Sequence, residues 1–436
     1  MKKMRFIFLW CYFLFASAGI MNSQSIPVDT AQIIVPNRVN TPAAQEKPYV
    51  IMISADGFRY DYAEKYNATN LLQLASRGVR ASAMIPSFPS ITGPNHYTLI
   101  TGLYPSHTGF VDNYFYDPQR RDYFSMSSRE KITDGSWLGG KPLWSLAEEQ
   151  GLLSASMQWV ASNGTAGGTR PTYFYEYHEK FSPAQKVDIV VNWMKLPADR
   201  RPHFISLYFP ETDRAGHFFG PESPETEAAV KMVDDAVGSL IRKVNALNLP
   251  NVNFIFVSDH GMMDVDTANP VKIPEMLFDK SRFDFVSSQT LLRIVVKNDS
   301  EVSKVYRQLK RNRTEDYKVY LTKKFPKYLH YAARDDKFGR IGQILLVPKA
   351  PKIFLKPNQE TKAGKHGYNP RQVRQMKAIF YAAGDAFKPH RTILEFENVN
   401  VYPLVAQILG LKINHKIDGR ATVLRTILKK TDSHKH

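Results

Sequence analysis

Short apolar runs constrain this chain more than any other feature. Residues 49–54, 204–209, 252–257 and 378–382 are unbroken, mostly aliphatic or aromatic stretches of five or six residues. Strands buried on both faces read this way, without polar alternation. Between them lie helical patterns. Val230, Val233, Val237, Leu240, Ile241 and Val244 recur at helical spacing, with Asp234, Asp235, Arg242 and Lys243 on the remaining surface. A helix over about 224–247 follows, and Pro250 prevents its extension. A second is expected over 401–409, closed by Gly410. Strands alternating with helices predict an α/β fold, a mostly parallel sheet sandwiched by helices.

Residues 265–360 depart from that rhythm. They hold short strand-like runs at 291–296 and 344–347 and one helix at 302–311, which suggests a small α+β insertion or cap. The main catalytic domain is then expected at 48–264 and 361–428. A chain of 436 residues is long enough for one large α/β domain with such an insertion.

The ends read differently. Lys2, Lys3 and Arg5 precede an apolar run at 6–15, and Ala16-Ser17-Ala18 follows with small residues. This is the pattern of a signal peptide over 1–19, too short to span a bilayer comfortably as a helix. Export is expected, to the periplasm of a Gram-negative cell or otherwise to the medium, with no stable membrane span after cleavage. Residues 20–47, dotted with Pro27, Pro36 and Pro42, suit a flexible linker, and 429–436 a basic tail. Cys11, the only cysteine, lies inside the apolar run, so the mature protein is expected to have no disulfide. The net charge of +17 favours anionic partners in general. No helix-turn-helix, RNA-binding or zinc-finger pattern accompanies it, so no specific nucleic-acid partner is expected. The oligomeric state is not readable.

The chemistry sits where the strands end. Asp56 follows the first run, Asp213 and His217 the second, and Asp259 and His260 the third. His366 stands in Gly364-Lys365-His366-Gly367, after the insertion. In open α/β sheets ligands bind outside the carboxyl ends of strands, so these residues can converge. Three aspartates and three histidines suit zinc, and two sets of three with open positions would make a metal pair roughly 4 Å apart. Taken singly, each has a plainer reading: Asp56-Gly57 as a turn, Asp213 as a helix cap, His366 as a loop histidine.

A fifth segment ties them together. It runs Pro86-Ser87-Phe88-Pro89-Ser90-Ile91-Thr92-Gly93-Pro94-Asn95-His96-Tyr97-Thr98 and on to His107-Thr108-Gly109-Phe110-Val111-Asp112-Asn113. It closely resembles the signature of the nucleotide pyrophosphatase/phosphodiesterase family, in the alkaline phosphatase superfamily, as an exported bacterial member. Ser54-Ala55-Asp56-Gly57-Phe58-Arg59, Asp213-Arg214-Ala215-Gly216-His217, Ser258-Asp259-His260-Gly261-Met262 and His366-Gly367-Tyr368 match in order. The resemblance covers about 49–415 and implies an alkaline-phosphatase-like fold.

It also implies roles. Thr92 is the nucleophile, and two Zn2+ ions are the cofactors. One is held by Asp56, Asp259 and His260 with Thr92, the other by Asp213, His217 and His366. Asn113 donates to a phosphate oxygen. The expected reaction is hydrolysis of a phosphodiester or pyrophosphate bond in a small-molecule or nucleotide substrate, through a covalent phospho-threonine. Asn113 is alternatively a turn residue after Asp112. Tyr208 matches a stacking aromatic of the family, and is alternatively a core strand residue. Gly93 departs from the pattern, since many nucleotide-cleaving members carry an aromatic residue there. That leaves open a lipid-type, phosphocholine-releasing diesterase, a phosphomonoesterase or a phosphonate hydrolase. A non-catalytic protein binding anionic ligands is the alternative of another class.

Overall fold

The computed structural model describes residues 31–430. The expected signal segment lies outside the described residues, as does most of the basic tail. Among the described residues no helix is long and apolar enough to cross a membrane.

A nine-stranded sheet forms the centre. Its spatial order is Ile33–Ile34, Tyr173–Tyr175, Ser154–Met157, Phe204–Phe209, Tyr49–Ala55, Val252–Val257, Phe380–Gly384, Val79–Ala81 and Arg391–Ile393. The five strands from Tyr173–Tyr175 to Val252–Val257 are mutually parallel. Phe380–Gly384 runs antiparallel to both its neighbours, and the first strand is antiparallel to the second. The sheet is therefore mostly parallel, with two reversed strands: the edge strand Ile33–Ile34 and the inner strand Phe380–Gly384, beyond which Val79–Ala81 and Arg391–Ile393 resume the common direction.

Every residue of the central strand Tyr49–Ala55 is buried. Its side chains alternate between two cores. Val50 and Met52 join one, with Leu99, Ile100, Trp144 and Leu404 from helices on that face. Ile51 and Ile53 join the other, with Val190, Val230, Val233, Val237 and Leu240. Helices thus cover both faces, and each such apolar side chain contributes about 1.5–3 kcal/mol on burial. The helix expected near 224–247 is Pro224–Asn245, capped by the Ser223 side chain on the Thr226 N–H.

Residues 31–47 correct the linker expectation. Ile33 and Ile34 add a strand to the sheet edge against Phe174 and Tyr173. Thr41 caps a short helix at Pro42–Gln45. Two consecutive isoleucines and a threonine cap give this stretch pairing partners that its prolines conceal.

The stretch 265–360 carries a second, four-stranded antiparallel sheet in the order Phe283–Ser287, Leu292–Val296, Ile344–Pro348, Tyr317–Leu321. One side of it packs with the helix Val302–Arg311 in a core of its own. Leu291, Phe325, Tyr331, Ile341 and Leu345 instead join the core of the main sheet. The stretch is thereby fastened to the body of the protein.

Candidate metal centre and nucleophile

Asp56 leaves the central strand in a turn that Gly57 closes at φ 66°; a β-carbon on Gly57 would lie 3.0 Å from the Asp213 Cα. That approach brings two strand ends into contact. Asp213 and His217 share one face of the helix Glu211–Phe219, His217 Nε2 lying 3.4 Å from Asp213 Oδ1. Asp259 and His260 follow the strand Val252–Val257 in irregular backbone, which lets adjacent residues point into one site. His366 arrives after the short strand Gly364–Lys365 and stacks on His260 at 3.6 Å between centroids. Thr92 opens the helix Thr92–Thr101, and its Oγ1 lies 3.1 Å from His260 Nε2. A helix N-terminus favours negative charge developing on that oxygen.

All six expected metal ligands converge. Asp213, His217 and His366 form one group whose ligand atoms lie within 4.8 Å of one another. Asp56, Asp213 and His260 form a second such group, and Asp56, His96 and Asp259 a third. The structure therefore adds Asp213 to the neighbourhood of both sets, and adds His96 to the site.

The residues fit divalent cations on three grounds. First, Asp56 Oδ1, Asp213 Oδ1 and Asp259 Oδ2 are buried without a hydrogen-bond partner. Buried carboxylate oxygens are costly unless something positive meets them. Second, the imidazoles are oriented as ligands. Nδ1 of His217 donates to Gly364 O at 2.7 Å, that of His366 to Ser90 O at 2.9 Å, and that of His260 to Gly261 O at 2.9 Å. With Nδ1 so engaged, Nε2 is the nitrogen each ring turns toward the carboxylates, where it can offer a lone pair to a cation. The Nε2 atoms of His217 and His366 lie 3.1 Å apart, a distance at which two lone pairs need a cation between them.

Third, the charges are crowded. Burial, and then Asp259 and Asp213, push the Asp56 carboxyl well above its usual range. Burial also opposes ionisation of Asp259, but His260 and His96 hold it well below the ordinary carboxylate value. Burial with His260 and His217 alongside keeps His366 neutral, far below the usual histidine range. A divalent charge would stabilise the ionised form of Asp56, and it meets an already ionised Asp259 and an unprotonated His366, both ready to act as ligands.

The other expected residues are placed as follows. Asn113 Oδ1 accepts the Gly93 N–H at 2.8 Å, which leaves its NH2 group to donate elsewhere. A β-carbon on Gly93 would meet Phe110 Cζ at 2.5 Å and Asn113 Oδ1 at 2.7 Å. The missing side chain at 93 therefore opens no cavity. Tyr208 differs from the expectation of a stacking platform. It is only 7% exposed, and its hydroxyl donates to Asp56 Oδ2 at 2.5 Å. Tyr177, 48% exposed, packs edge-on against it at 5.9 Å.

Sequence reasoning missed His96, Asn95 and Tyr177. His96 is fully buried, with Nδ1 3.0 Å from Thr92 O and 3.3 Å from Asp259 Oδ2, and Nε2 2.9 Å from Ser54 Oγ. Asn95 ties down the loop before Thr92. It donates to Pro89 O and Ile91 O and accepts from Ser87 N–H and Asn398 Nδ2. Both stand within one helical turn of Thr92, which was the available signal.

Comparison with known proteins identifies the family. Residues 50–369 match the family model described as type I phosphodiesterase/nucleotide pyrophosphatase. Ectonucleotide pyrophosphatase/phosphodiesterase family member 3 of Rattus norvegicus is 34% identical over 383 residues, covering 85% of this chain and 43% of that protein. A venom phosphodiesterase of Macrovipera lebetinus is 35% identical over 385 residues, with 85% and 44% covered. The chain thus spans less than half the length of these curated relatives. An uncharacterized pyrophosphatase/phosphodiesterase of Schizosaccharomyces pombe is 33% identical over 383 residues, with 83% and 77% covered. Among solved structures, murine ectonucleotide pyrophosphatase/phosphodiesterase 5 superimposes with a TM-score of 0.80 at 27% identity, over 87% of this chain and 100% of that one. An inactive threonine-to-alanine form of that mouse protein, in complex with AMP, matches equally, over 88% of this chain.

Proposed function

Because the chain belongs to the type I phosphodiesterase/nucleotide pyrophosphatase family, we propose that it is a two-zinc phosphodiesterase using Thr92 as nucleophile. The observation that carries this reading is the set of orphaned carboxylate oxygens on Asp56, Asp213 and Asp259, facing imidazole lone pairs beside the Thr92 hydroxyl.

Asp56, Asp259 and His260, with Thr92, would hold one zinc, and Asp213, His217 and His366 the other. Bound there, the two ions would acidify the Thr92 hydroxyl and neutralise charge on the attacking and leaving oxygens. The chain's own residues do the rest. Thr92, at the start of its helix, presents Oγ1 3.1 Å from the ligand atom Nε2 of His260, on the side from which in-line attack on phosphorus proceeds. A bond forms from Oγ1 to phosphorus as the bond to the leaving oxygen breaks. Water then attacks the phosphoryl-threonine diester, the Thr92 oxygen leaves, and its hydroxyl is restored on reprotonation. The NH2 of Asn113, fixed by Gly93 N–H on its other end, donates to a non-bridging oxygen as charge grows there. The AMP-bound inactive form of the mouse relative supports a nucleoside monophosphate as the group retained.

The test compares the zinc-loaded protein on the nitrophenyl ester of thymidine monophosphate and on nitrophenyl phosphate. A preference for the diester of about a hundredfold or more in kcat/KM is expected, with about two zinc ions per chain. A preference for the monoester would sink the reading.

The two tyrosines near Asp56 have separate tasks in this scheme. Tyr208 steadies a metal ligand, and Tyr177 offers the exposed ring for a base. Tyr208→Phe is expected to weaken zinc binding by about 10–100-fold, read by chelator competition. Tyr177→Ala is expected to raise KM for the thymidine ester about tenfold, since base–aromatic stacking is worth about 1–3 kcal/mol. Its KM for methyl nitrophenyl phosphate should stay unchanged. Equal effects of Tyr177→Ala on both substrates would contradict this division.

A further inference from the structure

Arg293 lies on the strand Leu292–Val296 of the second sheet, yet it reaches the segment that carries Asn113. Its Nη2 is 3.1 Å from Asp112 Oδ2 and donates to Tyr114 O at 2.7 Å. Both partners of the ion pair are almost completely buried, with side chains 3% and 4% exposed. Two further residues of the stretch 265–360 grip the same segment. Tyr331 donates to Val111 O at 2.9 Å. Arg340 binds Asp117 through Nε at 2.8 Å and Gly109 O through Nη1 at 2.9 Å. The residues on both sides of Asn113 are held from outside the main sheet, and the Asn113 side chain is left to face Gly93.

This arrangement is a poor one for stability. Nε and Nη1 of Arg293 and Oδ2 of Asp112 are all buried without hydrogen-bond partners among the described residues, so the pair meets as charges and the hydrogen bond of Nη2 goes to Tyr114 O. A buried ion pair is seldom more stabilising than an apolar replacement, and unpaired buried donors add to the cost. What the arginine does supply is position, because its guanidinium sets a positive charge 3.1 Å from the Asp112 carboxylate and hydrogen-bonds the Tyr114 carbonyl, one residue to either side of Asn113.

We propose that Arg293 is a positioning residue that sets the aim of the Asn113 amide, so that the stretch 265–360 takes part in turnover without touching substrate. The inference rests on the phosphate-oxygen role of Asn113 stated above. It accounts for the absence of any arginine next to Thr92 or Asn113 in sequence: the guanidinium comes from 180 residues away and serves the donor rather than the phosphate.

The test is a double-mutant cycle on the full-length, zinc-loaded enzyme. Arg293→Met is paired with Asp112→Asn, so that no lone charge is left in the interior and the amide can still accept from neighbouring N–H groups. Zinc content and thermal midpoint establish that each protein is folded and loaded. Asn113→Ala alone is expected to lower kcat about a hundredfold. The Arg293/Asp112 pair of changes is expected to lower kcat about tenfold, with KM within about threefold of the parent. In the Asn113→Ala background the same pair should cost less than about twofold, because there is no longer an amide to aim. Arg293→Lys, which keeps the charge but not the fork, should lower kcat several-fold in the parent and not in the Asn113→Ala background. Equal losses in both backgrounds, or no loss in the parent, would overturn the inference. Parent-like turnover by Asn113→Ala would instead remove the role of Asn113 itself, and the inference with it.

Discussion

Replacing Thr92 with alanine is expected to lower kcat by about 10⁴-fold while zinc content stays at the parent level. The expectation follows from what surrounds the hydroxyl. Oγ1 is the polar atom placed 3.1 Å from His260 Nε2 at the start of a helix. No neighbouring hydroxyl is free to replace it. Ser90 Oγ donates to Tyr368 O and accepts from Gly367 N–H. Ser54 Oγ faces His96 Nε2 on the far side of the site. Removing a nucleophile with no understudy costs most of the catalysis, leaving what electrostatics and binding alone provide. The metal ligands keep their carbonyl and amide partners in the variant, since none of those partners is the Thr92 side chain. Thr92→Ser retains the oxygen but loses the methyl group that limits its rotamers, so a smaller loss, about tenfold, is expected. Rapid acid quench with labelled substrate should trap a phosphoryl adduct in the parent and none in the alanine form. Near-normal turnover by a zinc-loaded Thr92→Ala enzyme would end the covalent mechanism.

How much of this was legible in the sequence divides by distance along the chain. Three of the five parallel strands were visible because burial on both faces leaves a nearly unbroken apolar run, as at residues 49–53, whereas Ser154–Met157 and Tyr173–Tyr175 are too short or too polar to stand out. The i, i+4 spacing of Asp213 and His217 was visible because a helix brings those positions together. The reversed direction of Phe380–Gly384 was not, since an apolar run looks the same in either orientation. The edge strand Ile33–Ile34 was hidden by its prolines and pairs with residues about 140 positions away. Tyr208 could be read as platform or core, and only the fold shows its hydroxyl on Asp56, 152 residues distant. Arg293 carries no local signal either: on a strand it reads as one more surface cation, and its burial against Asp112 depends on how two sheets meet. Local periodicity reveals elements, whereas pairings between distant polar groups exist only after folding.

Asp56→Asn should act in opposite directions on activity and on the stability of the metal-free protein. The carboxylate is buried, is crowded by Asp259 and Asp213, and leaves Oδ1 unpaired. Without a cation the folded state holds its carboxyl well above the value it has when unfolded. The stabilisation tied to its protonated form is complete below about pH 3.9, the unfolded value, and is lost as pH rises through the folded one. The loss begins once pH exceeds the unfolded value, so at neutral pH the metal-free parent is less stable than in acid. Asparagine carries no charge to repel, and its oxygen can still accept from the Tyr208 hydroxyl. The chelated variant is expected to melt above the chelated parent at pH 7, with the gap narrowing in acid. With zinc the order reverses. A site filled at about a thousand times its Kd stabilises by about 4 kcal/mol, and the variant forgoes that at the site of Asp56, Asp259 and His260. Zinc content should drop to about one ion per chain, and kcat/KM by about 10³-fold or more, because the ion nearest Thr92 is the one lost. Calorimetry of both proteins with and without chelator, beside elemental analysis, reads all of these effects. A chelated variant less stable than the chelated parent would mean that Asp56 is not held against charge repulsion. A variant keeping two zinc ions and full turnover would mean that it is not a ligand. The crossing of the two stability orders is the signature of a site whose residues are arranged for a cation at the expense of the empty fold.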